Sequence, residues 1–158
     1  MTPEMAVALN APLATERLAL EPRVAAHAGK SFHLDLYKFD SRPEQRLFLD
    51  LLAHDQVRNI FFTGMLTHGQ SDFYIEYVDP ETHAVRTYYP DFLVLTEDGS
   101  AEGAYLVVEV KRDDQIEHPV VLAKAEATRQ VANASRMAYR IIAGSEVMAG
   151  NAASVLRR

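Results

Sequence analysis

Residues 105–111 read YLVVEVK, an apolar run of strand-forming residues that nevertheless carries an acid and an amine. Such a run, following the turn-forming TEDGSAEG, suits a central strand. Side chains alternate along a strand, so Glu109 and Lys111 share one face while Val108 and Val110 take the other. Charges in this position must meet solvent, each other or a metal ion. The plainest arrangement is a solvent-facing ion pair at a strand end. A second strand-like stretch, YYPDFLV at 88–94, is interrupted by Pro90. Proline has no ladder donor and favours a bent or edge position, so Asp91 should project from a kink. If these two stretches pair as sequential neighbours, Asp91 approaches Glu109 and two carboxylates face one hard cation. Without a cation or a proton they repel.

The surrounding chain predicts an α/β layer structure. In SRPEQRLFLDLLAH, Ser41 is placed to cap a helix, Pro43 lies in its first turn and Glu44 stands three residues after the cap. Leu47, Phe48, Leu51 and Leu52 then recur at helical spacing. SFHLDLYKF at 31–39 suits a short strand or an extended entry segment, and NIFFT at 59–63, DFYIEYVD at 72–79 and 85–95 read as strands in an antiparallel meander. Residues 118–135 return to helical periodicity and MAYRIIAG at 137–144 forms a last strand. Residues 1–30 are expected to be an arm or linker, 31–146 the folded domain and 147–158 a tail, short helix or frayed.

A length of 158 residues fits one domain with one core. The absence of cysteine excludes disulfides and thiolate metal sites and fits a reducing compartment, so a cytoplasmic location is expected. No apolar run is long enough to span a bilayer, and no membrane association is expected. A formal charge of −6 counts against autonomous tight binding to a polyanion. The six histidines show no helical zinc pairing; His118, ahead of Pro119, suits a capping role. Phe73, Tyr74, Tyr77, Tyr88 and Tyr89 are expected mostly to fill the core rather than to stack on bases.

Pro90-Asp91 followed eighteen residues later by Glu109-Val110-Lys111 resembles the signature of PD-(D/E)XK nucleases, with Glu44 matching an acid on the first helix. The likeness is greatest to the carboxy-terminal endonuclease domain of type III restriction enzymes. There a helix bearing PE, a YxPDF strand, an EVK strand and a KAEA helix succeed one another, as do Pro43-Glu44, Tyr88 to Phe92, Glu109 to Lys111 and Lys124 to Ala127 here. The resemblance covers roughly residues 40–145 and implies a restriction-endonuclease-like fold: a central mixed β-sheet flanked by helices, with an αβββαβ core.

It further implies a DNA endonuclease dependent on Mg2+, for which Mn2+ can substitute. Asp91 and Glu109 would be metal ligands, joined by the Val110 carbonyl, and Lys111 would act beside the ion. Glu44 would bind a second ion or a metal-bound water, although a capping box with Ser41 explains it equally well. Lys124, Thr128 and Gln130 would contact substrate; an ordinary exposed helix face explains them too. No GxxxxGK[ST] loop accompanies these motifs, so a helicase, translocase or recognition part would be a separate partner in a restriction or defence system. Two alternatives stand beside this: a standalone or transposition-type nuclease of the same fold, in which a homodimer would cut both strands, and a catalytically silent nucleic-acid-binding or scaffold module.

Overall fold

The computed structural model describes residues 26–31, 39, 41–63 and 74–157. Most of the expected 1–30 arm, most of the 31–39 strand and Phe73 lie outside the described residues.

Helix α1 (Arg42–Leu52) begins as its sequence dictates. The Glu44 N–H donates to Ser41 Oγ at 3.3 Å, and the Ser41 N–H donates to Glu44 Oε2 at 3.0 Å, which completes a capping box. Its apolar face buries Leu47, Phe48, Leu51 and Leu52 against the sheet. Burial of each such side chain stabilises the fold by about 1.5–3 kcal/mol.

Six strands follow: β1 (Val57–Phe62), β2 (Ile75–Val78), β3 (Val85–Tyr88), β4 (Phe92–Thr96), β5 (Ala104–Lys111) and, after helix α2 (Pro119–Ala134), β6 (Ala138–Ala143). The main sheet has the order β1-β4-β5-β6, with β1/β4 and β4/β5 antiparallel and β5/β6 parallel. The parallel pair requires a crossover, and α2 supplies it. His118 caps α2 by accepting a 3.2 Å hydrogen bond from the Val120 N–H. Mixed strand directions and helices on both faces give the αβββαβ core of a restriction-endonuclease-like fold.

The expected meander is corrected in one respect. Strand β1 pairs with β4, not β2, while β2 and β3 form a separate two-stranded hairpin that packs on α2. Pro90 explains the division: between Tyr88 and Phe92 the chain leaves the hairpin and enters the main sheet, so the 85–95 stretch becomes two strands belonging to two sheets.

One face of the sheet, with Phe92, Val94, Val108 and Val110, joins α1 in the larger core. Phe62 and Phe92 contribute rings 5.2 Å apart. The other face carries Val107 and Tyr139 and is covered by Ala125 and Ala132 of α2. Residues expected to form a tail belong to the domain: helix α3 (Gly144–Met148) and a 3-10 turn at Ala152–Leu156 place Val147, Ala152 and Val155 in the larger core. Gly144 lets α1 approach closely, because a Cβ there would lie 3.2 Å from Pro43 Cγ. Among the described residues, no helix is long and apolar enough to cross a membrane.

Candidate active site

Pairing of β4 with β5 brings the two interrupted strands together. The ladder runs to Phe92 opposite Val108, and the kink at Pro90 then turns the next residue's carboxylate inward. Asp91 Oδ2 accepts a 2.8 Å hydrogen bond from the Val110 N–H, the amide between Glu109 and Lys111. The bend itself is anchored by buried Thr63, whose hydroxyl donates to the Pro90 carbonyl at 2.6 Å.

Glu109 lies on the face covered by α2, and this corrects the simplest expectation from sequence. The ion pair is not solvent-facing: Glu109 is 1% exposed, on the sheet face that α2 covers. Its Oε2 meets Lys111 Nζ at 2.9 Å, while Lys111 remains partly open to solvent. Among the described residues, Glu109 Oε1 is buried with no hydrogen-bond partner. An unsatisfied buried carboxylate oxygen is costly and attracts a proton or a cation. Burial, with the nearby negative charge of Asp91, pushes Glu109 up to about 8 despite the opposing effect of Lys111. For Lys111, burial works against the charge, but Glu109 and Asp91 outweigh it and hold the ammonium above its ordinary pKa.

This environment suits a divalent cation. Two acids lie close together, one with an orphaned buried oxygen. Among the described residues, no three Asp, Glu, His or Cys side chains gather at one point. A cation here would therefore have two carboxylate ligands and take the remainder from backbone oxygen and water, a donor set that fits Mg2+.

The other expected site residues are distributed unevenly. Glu44 is buried and acts electrostatically on Lys111, and both line a cleft of about 460 Å³ with Pro43, Val110 and Gly144. Among the described residues it does not complete a three-acid cluster with Asp91 and Glu109, and one of its oxygens accepts the Ser41 N–H of the cap. Lys124 is half-buried, and Lys111, Glu109 and Asp91 all act on its ammonium. Burial, followed by repulsion from Lys111, lowers its pKa. Thr128 is not on an exposed helix face. It is fully buried, its hydroxyl donates to the Lys124 carbonyl at 2.7 Å, and it meets the Tyr88 hydroxyl. Gln130 is exposed, bonded to Glu126 at 3.1 Å, and turned about 120° around α2 from Lys124. It borders an outer groove against the hairpin rather than the carboxylates.

Two residues gain importance beyond their expected core role. Tyr77 and Tyr88 stand edge-to-face at 5.8 Å, and the Lys124 ammonium lies 5.4 Å and 5.2 Å from their ring centres. Tyr74, also expected in the core, is 46% exposed.

Comparison with known proteins agrees with this geometry. Residues 67–144 match the family model of the TnsA-like endonuclease N-terminal domain. The matched segment includes Asp91, Glu109, Lys111 and Lys124, whereas Glu44 precedes it. The match places the likeness within the restriction-endonuclease-like superfamily and points to a nuclease. It is to a TnsA-like domain rather than to the type III enzymes suggested by the sequence motifs. No curated protein matches the chain.

Proposed function

We propose that this chain is an endonuclease domain that hydrolyses DNA phosphodiester bonds with a divalent cation, Mg2+ or Mn2+, held by Asp91 and Glu109 with the Val110 carbonyl. The convergence of Asp91 on the Glu109–Lys111 strand end, with one buried Glu109 oxygen that has no partner among the described residues, carries this reading. When bound, such a cation neutralises phosphate charge and activates water for attack. The chain's own groups do the remaining work. The Val110 N–H fixes Asp91, burial makes Glu109 a strong cation acceptor, and the Lys111 ammonium provides positive charge where the transition state gathers negative charge.

A domain with net charge −6 gains little affinity for DNA from its overall charge, so a partner protein or domain is proposed to deliver the substrate. A restriction or defence system with a separate helicase would supply one. A transposition-type nuclease, working with its own partner or as a dimer, agrees equally well with the TnsA-like match. The lack of cysteine suits work in the cytoplasm.

The test is plasmid cleavage by the full chain with Mg2+ or Mn2+, beside Asp91→Ala and Lys111→Ala. Cleavage lost in both variants supports the site; cleavage surviving both removes it. Counting nicked against linear product, alongside the oligomeric state, separates a dimer from a partner-dependent single cutter.

A further inference from the structure

The β2–β3 hairpin lies outside the main sheet, yet its inner face meets α2 where Lys124 projects. Tyr77 comes from β2 and Tyr88 from β3, and their rings form a two-sided seat for the Lys124 ammonium. Both centroid distances are within the range at which a cation is attracted to an aromatic face. The seat is braced from beneath: the Tyr88 hydroxyl donates to the Lys124 carbonyl at 3.3 Å and meets the Thr128 hydroxyl one helical turn on. Tyr88 also lies three residues before Asp91, so the segment that delivers the carboxylate to the main sheet also supplies one wall of the seat.

We propose that Tyr77 and Tyr88 are positioning residues that hold the Lys124 ammonium over the Asp91–Glu109 site, making the hairpin part of the apparatus that binds the phosphate next to the scissile bond. This rests on the nuclease reading of that site. A lysine on an exposed helix samples many rotamers and offers a diffuse charge, whereas a seated ammonium is already oriented when the phosphate arrives. The rings leave the charge in place, unlike a carboxylate partner, so Lys124 remains available to an anion. Glu109 and Asp91 also attract the same ammonium.

The experiment has one arm independent of cleavage and one dependent on it. In the first, the proton resonances of the Lys124 side-chain methylene next to nitrogen are followed in the full chain without metal. Ring currents should shift them upfield in the wild type and in Tyr77→Phe, and they should return toward random-coil positions in Tyr77→Leu. Random-coil positions in the wild type overturn the seat whatever the chain's activity. In the second, binding of a labelled DNA duplex is measured in Ca2+, together with KM and kcat in Mg2+. Tyr77→Leu should weaken binding and raise KM about tenfold, and Tyr77→Phe should restore both. In a Lys124→Ala background, the same Tyr77 substitution should change neither. An undiminished Tyr77→Leu effect in that background means the tyrosine acts on the fold alone and overturns the proposal. Tyr88→Phe, which keeps the ring and loses only the hydroxyl, should show a smaller effect of the same kind if Tyr77→Leu folds poorly. Seated resonances together with cleavage that survives both Asp91→Ala and Lys111→Ala would leave the geometry standing and remove the nuclease reading of the site instead.

Discussion

Replacing Glu109 with Gln should remove one pH-dependent part of the stability. In the folded chain Glu109 holds its proton to about pH 8, whereas an ordinary glutamate releases it near 4.5. Between those values the native state binds a proton that the unfolded chain has lost, so stability is fully present below the lower value and declines as pH rises toward the upper one. Each unit of difference corresponds to about 1.4 kcal/mol, so the full decline is on the order of 5 kcal/mol, a large share of an ordinary domain's total. The carboxylate is 1% exposed, which leaves solvent little scope to reduce it. Glutamine has nearly the same shape and does not titrate. The assay is urea unfolding of both proteins in EDTA at about pH 5, 6, 7 and 8. The wild type should lose stability relative to Glu109→Gln across the series, and the exposed acids common to both should cancel. Mn2+ should recover the wild-type loss at the alkaline end and do much less at the acid end, because metal and proton compete for one carboxylate. Parallel profiles for the two proteins would refute the buried, cation-seeking character assigned to Glu109.

Lys111→Ala should reduce cleavage by about 10² to 10³-fold while leaving metal binding, followed by Mn2+ titration, largely intact. Ser41→Ala removes the acceptor of the Glu44 N–H and should destabilise the chain by about 1 kcal/mol in chemical unfolding. Val147→Ala empties a fully buried position of the larger core and should cost about 2 kcal/mol, a loss that a residue in a frayed tail would not cause.

Much of this arrangement was legible because it is written locally. The Ser41–Glu44 cap, the His118 cap and the alternation of faces in YLVVEVK all depend on residues a few positions apart, and each took its expected form. Pro90 marked the kink correctly, since a missing amide has the same consequence in any fold. Long-range information was harder to see. Nothing near NIFFT indicates that β1 pairs with a strand some thirty residues later, across an inserted hairpin. Nor does the sequence show that α2 covers Glu109, which is why a surface ion pair was the simpler expectation. Thr128 looked like a polar group on an exposed helix face; its burial follows from the docking of the hairpin, which places Tyr88 against it. Thr63, which anchors the Pro90 carbonyl, carries no sequence signal at all.

The most direct test of the site is a crystal soaked in Mn2+ and examined by anomalous diffraction. A single peak within about 2.5 Å of carboxylate oxygens from both Asp91 and Glu109 is the expected result. A lattice that leaves this face open but shows no peak there, at a Mn2+ concentration that supports cleavage in solution, or a peak held by other residues, would contradict it.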